Sequence, residues 1–336
     1  FELAATSDIM VSSSSMEDVA AFVNCQVISA AYCTLTLTDG ALRTSVLLNA
    51  AVLGFTPIEI ALMFMLYEFL GIVINLFGGG LASIMGLKIT CLLGLTLQAL
   101  SLVLASIADI LFPVRKNNFD DDRRKYMIYI AIVQALAGAA KDFLKVSGKS
   151  VTKLVSKKNA GGKLFRLVAY ITGAKNAIKG VGLFLGGIML WTIGYFLGLI
   201  VLSILILIPI PFVLYYVDSD LGISRKKIKF LDMFRTTSSV GILSLSRFWL
   251  YGSRDLWFEI ATPMFLSQAL GWNPALVSGL MGIYTIVYGK LQAASNTICL
   301  TPLNCTPPQP SNVLPWTVIL GIVSTIGGIA FYFCKC

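Results

Sequence analysis

The feature that most constrains this chain is the run from residue 180 to residue 217, which contains no charged side chain. A transmembrane helix needs about 20 predominantly apolar residues, so this run holds the end of one such helix, a turn near Gly194 and a complete second helix. Only 13% of the residues are charged and 57% are hydrophobic, with a mean hydropathy of +0.82. Soluble domains have about 25% charged residues. The composition indicates an integral membrane protein and excludes a soluble enzyme.

Further apolar segments of similar length follow one another along the chain. We predict about nine transmembrane helices, which must be α-helical because lipid offers no hydrogen-bond partner to an open strand edge. The predicted fold class is therefore an all-α integral membrane protein. The segments are 19–54, 60–87, 89–108, 126–144, 164–190, the end of 180–217, a polar helix before a turn at 271–274, the helix after that turn, and 313–334.

The residue types that are missing or scattered limit the reactions and the metal sites that this chain can support. The chain has no histidine, which excludes Ser-His-Asp hydrolysis, histidine-ligated zinc and imidazole proton transfer. Its seven cysteines form no Cys-x-x-Cys pair and are interpreted as small apolar side chains, although Cys299 and Cys305 could pair across a proline-rich loop. We therefore expect no metal, no cofactor and no enzymatic activity.

The net charge of +9 lies mainly in the gaps between apolar segments. This pattern is typical of cytoplasmic loops, so the expected surroundings are the lipid bilayer and not nucleic acid. The gaps at 145–166 and 225–235 are rich in lysine and arginine, which places the N-terminus on the cytoplasmic or equivalent side. The membrane is expected to be the plasma membrane or that of an organelle such as a plastid. The basic residues after the third predicted helix oppose this orientation: Arg115, Lys116, Arg123, Arg124 and Lys125.

A short turn sequence occurs twice and indicates an internal repeat. Leu-Gly-Phe-Thr-Pro at 53–57 closes the first predicted helix, Leu-Gly-Trp-Asn-Pro occurs at 270–274, and Tyr67 and Tyr284 follow at the same offset. Two related bundles are typical of transporters built from six-helix halves. The predicted layout is a polar N-terminal segment (1–18), a six-helix bundle (19–217), a basic cytoplasmic-side linker (218–236) and a partial second bundle of about three helices (237–336).

Ionisable side chains within the predicted spans are the candidates for function, because each costs about 2.5–3.5 kcal/mol at the centre of a bilayer. Most of them are basic, which indicates an anionic substrate. Arginine suits a phosphate-like oxyanion because its fork donates two parallel hydrogen bonds. The candidate substrate-binding residues are Arg43, Lys141, Lys175, Asn176, Lys179 and Arg254. The candidates for proton coupling or ion pairing are Asp39, Glu68, Asp142 and Asp255.

A purely structural interpretation of these residues stays open. Lysine near a helix end extends to the membrane interface, which would account for Lys145. Asp39 and Arg43 are four residues apart on one helical face and could neutralise each other, as could Arg254 and Asp255.

The functional hypothesis is a clamp. Arg43 and Arg254 would point into one central cavity between the bundles, with Lys175 and Lys179 along its side. The two bundles would then rock around an anion held near the bilayer midplane.

The loop at 78–88 resembles the signature of the major facilitator superfamily, Gly-x-Leu-Ala-Asp-Arg-x-Gly-Arg-Lys, at its glycines, Leu81, Ala82 and Lys88. Ser83 and Ile84 stand where that signature has aspartate and arginine. Further matching segments carry polar residues inside predicted spans. They are Thr-Leu-Thr-Asp-Gly-Ala-Leu-Arg at 36–43, Gln-Ala-Leu-Ala-Gly at 134–138, Thr-Gly-Ala-Lys-Asn at 172–176 and Gly-Ser-Arg-Asp-Leu-Trp-Phe at 252–258.

On these segments the chain resembles the organoarsenical-efflux permeases (ArsJ type) of the major facilitator superfamily. The resemblance implies export of 1-arseno-3-phosphoglycerate, a small phosphorylated anion, and hence a role in arsenate resistance. An alternative hypothesis, motivated by the short second half, is a transporter-derived structural subunit of a larger membrane complex. Its partners would then be other membrane subunits, and it would have no transport activity.

Overall fold

The structure is a computed structural model that describes residues 2–114, 121–156, 161–223, 238–295 and 310–333. Side chains are described over most of these ranges, with 2–22, 152–169 and 251–256 as the main exceptions. The described residues form helices and no strand. In chain order the α-helices are α1 (Glu2–Val52), α2 (Pro57–Met85), α3 (Leu87–Ser106), α4 (Ala108–Leu111), α5 (Asp121–Ser156), α6 (Gly161–Thr192), α7 (Tyr195–Leu207), α8 (Pro209–Tyr216), α9 (Ser238–Asp255), α10 (Thr262–Met264), α11 (Pro274–Ser295) and α12 (Pro310–Phe333). Two π-helical segments flank α10, at Leu256–Ala261 and Phe265–Ala269.

Five helical segments are long and apolar enough to cross a membrane: Pro57–Asn75, Leu87–Leu111, Asp121–Val151, Tyr195–Tyr216 and Pro274–Ala294. Large apolar side chains cover their outward faces, and those of Ile58 and Tyr215 are 75% and 83% exposed. Exposed apolar surface of this extent fits lipid better than water. The chain is therefore an all-α membrane protein. The predicted total of nine spans stays a prediction.

Both copies of the repeated turn start a helix in the same way. Gly54 and Gly271 have φ angles of 84° and 67°, in the left-handed region that favours glycine. Thr56 then caps α2, because its side chain accepts from the amide of Glu59 and its own amide donates to the Glu59 carboxylate at 2.7 Å. At the corresponding place, Asn273 Oδ1 accepts from the amide three residues further on at 2.8 Å and caps α11.

Glycines of α6 make the closest helix contacts that position the site. Gly182 and Gly186 lie against the backbone of α1, so close that a side-chain carbon at either position would overlap it. Gly180 lies against α11 at Gly282. Small residues permit this close approach between membrane helices. As a result, α6 holds α1 of the predicted first bundle against α11 of the predicted second one.

The residues that follow α8 fasten it to two other helices. Asn24 Nδ2 donates to Asp218 Oδ2 at 2.6 Å, and the Asp218 amide donates back to Asn24 Oδ1 at 3.2 Å. The amide of Leu87, at the start of α3, donates to the carbonyl of Leu221 at 2.9 Å. Residues 218–223 of the predicted linker are therefore docked against α1 and α3. The rest of that linker, together with Arg115, Lys116, Cys299 and Cys305, lies outside the described residues.

Three of the basic residues that oppose the predicted orientation have acidic partners. Arg123, at the start of α5, donates to both oxygens of Glu59 at 2.9 and 2.6 Å. Lys125 and Arg124 lie 2.7 and 3.6 Å from the carboxylate of Asp121. These charges tie helix ends to acidic neighbours. The side on which the N-terminus lies stays a prediction.

Candidate functional site

Arg43 lies at the centre of a charged cluster between α1, α2 and the second half of the chain. Its side chain is 13% exposed. One guanidinium nitrogen, Nη2, forms an ion pair with Oε2 of Glu259, and Nη1 lies 3.5 Å from Oε1 of Glu68. The guanidinium carbon is 4.5 Å from the ring centroid of Tyr67, within cation–π range. One arginine therefore contacts two carboxylates and an aromatic face.

Lys179, on α6, binds the other oxygen of the Glu259 carboxylate. Its Nζ donates to Oε1 of Glu259 at 2.5 Å. The Glu259 side chain is 16% exposed and belongs to the π-helical segment Leu256–Ala261. Two cations of the first half thus share one anion of the second half, and the trio keeps a net positive charge. Removing Glu259 would leave two buried cations without their shared anion, which is costly.

These three side chains line a small cavity at the junction of the two halves. The cavity has a volume of about 40 Å³. Its walls come from α1, α2 and α6 on one side and from the first π-helical segment, α10 and α11 on the other. Pockets that enclose small organic ligands usually have about 300–1,000 Å³. The cavity therefore holds no more than a few water molecules, and the site is closed to an organic acid in this conformation.

The hydroxyl of Tyr67 binds the carboxylate one turn before Arg43. Asp39 is 4% exposed and accepts from Tyr67 Oη at 2.8 and 2.9 Å. Lys141, on α5, places its Nζ 4.1 Å from the centroid of the same ring and 4.0 Å from Oε2 of Glu68. The expected alternative, in which Asp39 neutralises Arg43, is replaced by an arrangement in which Glu259 and Glu68 pair with Arg43.

The other first-half candidates lie toward the connection between α5 and α6. Lys145 donates to Asp142 at 2.9 Å, and the Asp142 carboxylate is buried. Asn176 Nδ2 donates to Gln292 Oε1 at 2.6 Å and so joins α6 to α11. Lys175 makes no ion pair with any other described residue and does not line the cavity. Of the predicted substrate-binding residues, only Arg43 and Lys179 are therefore brought together at the described cavity.

The second-half partner of Arg43 is a residue that the sequence reasoning missed. Arg254 and Asp255 lie on α9, but their side chains are outside the described residues, so the clamp between Arg43 and Arg254 stays a prediction. Glu259 immediately precedes the charge-free run at 260–289 and was not among the predicted site residues. The available signal was its position: ionisable side chains of membrane helices usually pair with one another, so a carboxylate beside an apolar run is a candidate partner for a buried cation.

Replacing Tyr67 with phenylalanine should destabilise the protein by about 1.5–3 kcal/mol, because the buried Asp39 carboxylate would lose the hydroxyl that donates to it. The measurement is thermal unfolding of the purified protein in detergent. Tyr284→Phe is the matched control, since Tyr284 stands at the corresponding position of the repeat and its side chain is 58% exposed. Equal losses of stability in the two variants would contradict the role assigned to the bond between Tyr67 and Asp39.

Comparison with known proteins assigns no family, because no protein-family model and no curated protein matches the chain. The class of the protein therefore follows from the fold and the cluster: an all-α membrane protein with buried cations and one shared carboxylate at the junction of its two halves.

Proposed function

We propose that this chain is a secondary transporter that exports a phosphorylated organic anion. The observation that carries the proposal is the cluster at the junction, where Arg43 and Lys179 face one cavity and share the carboxylate of Glu259. Two cations directed to one point between the two halves are suited to an oxyanion, and arginine can donate two parallel hydrogen bonds to it. Buried cations with no such role are rare in membrane helices.

The proposed architecture is that of the major facilitator superfamily, with nine transmembrane helices in this chain and the N-terminus on the cytoplasmic side. By the resemblance to ArsJ-type permeases, the proposed substrate is 1-arseno-3-phosphoglycerate. The two bundles would rock around the cluster during the transport cycle. The small cavity then corresponds to the stage of that cycle in which the site is closed. Asp39, Glu68 and Asp142 are proposed to couple protons or to pair with the cations. Asp255 keeps the same proposed role.

The test is transport by the purified chain in liposomes, with labelled 3-phosphoglycerate as a stable analogue of the substrate. We expect saturable uptake that excess unlabelled 3-phosphoglycerate inhibits and that glycerol does not. Lys179→Ala should abolish the uptake because it removes one of the two cations. Lys125→Ala is the control, since Lys125 is a half-exposed lysine that pairs with Asp121 away from the cavity. Uptake no faster than in empty liposomes would count against the transporter.

A second candidate function is that of a structural subunit in a membrane complex. The observation that favours it is α12, whose apolar side chains Leu314, Val318 and Ile322 are 64%, 52% and 54% exposed. An apolar helix that leaves most of its side chains uncovered can pack against a partner helix. Copurification of the native protein with other membrane subunits at fixed stoichiometry, together with absent anion uptake, would favour this function.

A further inference from the structure

Glu259 fills the place that an anionic substrate would need. One of its oxygens pairs with Arg43 and the other accepts from Lys179 at 2.5 Å. The carboxylate therefore uses the hydrogen-bonding directions that the two cations turn toward the cavity. An anion that bridges both cations at this same point must displace the Glu259 carboxylate.

The same carboxylate joins the two halves of the chain. Two neutral hydrogen bonds between described residues also cross the junction, from Asn176 to Gln292 at 2.6 Å and from Gln268 Nε2 to the carbonyl of Phe55 at 2.9 Å. Among the ion pairs of the described side chains, those that cross the junction are the pairs of Glu259 with Arg43 and with Lys179. Breaking them removes the strongest of these attractions between the halves.

The backbone around Glu259 is suited to rearrangement. Glu259 lies in the π-helical segment Leu256–Ala261, directly before α10, which contains Pro263. The hydroxyl of Thr262 donates to the carbonyl of Trp257 at 2.8 Å, five residues back. π-Helical turns are rare and are frequently found at functional sites, and proline removes a further backbone hydrogen bond. This segment can therefore shift the carboxylate without unfolding a regular helix.

We propose that Glu259 is a built-in competitor of the substrate, which keeps the empty halves joined and selects for phosphoanions. The inference rests on the proposed transport function. A substrate with a single carboxylate replaces the Glu259 carboxylate with an equivalent group at Arg43 and Lys179. It therefore gains little binding free energy from the exchange. A phosphate brings more charge and three oxygens, so it displaces Glu259 more effectively and releases the link between the halves.

The test compares 3-phosphoglycerate with glycerate, which lacks the phosphate, by calorimetric binding to the protein in detergent. The wild type should prefer 3-phosphoglycerate strongly. Glu259→Gln should bind glycerate about tenfold more tightly than the wild type does, because the competing state is removed, and its preference for 3-phosphoglycerate should shrink. Glu59→Gln is the control, because Glu59 also pairs with an arginine, Arg123, but does not line the cavity. It should leave the preference unchanged.

The outcomes separate the inference from the proposed function. If neither the wild type nor Glu259→Gln binds 3-phosphoglycerate, the transport function fails and the competitor role fails with it. If the wild type binds it and Glu259→Gln binds both ligands less tightly, the function stands and the competitor role is overturned. If Glu259→Gln binds 3-phosphoglycerate and the wild type does not, the result supports the competitor role of Glu259.

If Glu259→Gln does not fold, Glu259→Asp retains the charge but shortens the reach to both cations. It should shift glycerate binding in the same direction by a smaller factor, and unchanged or weaker binding would overturn the inference.

Discussion

Replacing Arg43 with alanine is expected to abolish transport and to weaken binding of 3-phosphoglycerate at least about 100-fold. Hydrogen bonds to charged groups contribute about 1.5–3 kcal/mol each, and the guanidinium can donate two of them to a phosphate. The substitution also leaves Glu259 with Lys179 as its remaining cation in the trio. Arg43→Lys should retain part of the affinity, because it keeps the charge and loses the fork. Binding is measured by calorimetry and transport by uptake into liposomes.

Arg123→Ala is the matched control for this experiment. The Arg123 side chain is also 13% exposed and pairs with the carboxylate of Glu59, but it does not line the cavity. We expect this variant to unfold at a lower temperature and to bind 3-phosphoglycerate with unchanged affinity once folded. Wild-type uptake by Arg43→Ala would contradict the assignment of the cluster as the substrate site.

Replacing Gly182 with leucine is expected to leave no folded protein. A side-chain carbon at this position would overlap the backbone carbonyl of Leu37, which cannot move unless α1 and α6 separate. Those two helices carry Arg43 and Lys179, so the same change would dismantle the cluster. Gly182→Ala should already lower stability by about 2 kcal/mol, because overpacking of about 3 kcal/mol exceeds the gain of up to about 1 kcal/mol in helix propensity. Folding is followed by size-exclusion chromatography and thermal unfolding in detergent.

Gly79 provides the matched control, since it is an exposed helical glycine with no atom within 4 Å of where its side chain would begin. Gly79→Leu should fold normally, and Gly79→Ala should be slightly more stable than the wild type because alanine favours the helix. If Gly182→Leu and Gly79→Leu behaved alike, close packing between α1 and α6 would not be what holds the site together.

The sequence by itself determined the features that depend only on residues close together along the chain. Long charge-free runs predict helices in lipid wherever they occur, because each residue must satisfy its backbone hydrogen bonds within its own segment. The turns near Gly54 and Gly271 were predictable for the same local reason, since glycine permits the left-handed backbone that ends one helix before the next. The buried cations Arg43 and Lys179 were likewise visible as charges inside apolar segments. Their assignment to a substrate remains a proposal.

Only the tertiary structure decided which charges meet. The spacing of Asp39 and Arg43 suggested a pair, yet Asp39 binds Tyr67 of α2, and Arg43 pairs with Glu259 from the other half of the chain. Lys175 and Lys179 are one helical turn apart, but only Lys179 lines the cavity. Spacing along one helix fixes which residues share a face. It does not fix which neighbouring helix covers that face, or how the two helices are positioned relative to each other along their axes. That relative position follows from contacts between distant segments, such as Gly182 and Gly186 against α1. There the absence of a side chain lets the helices come close enough for the charges to pair.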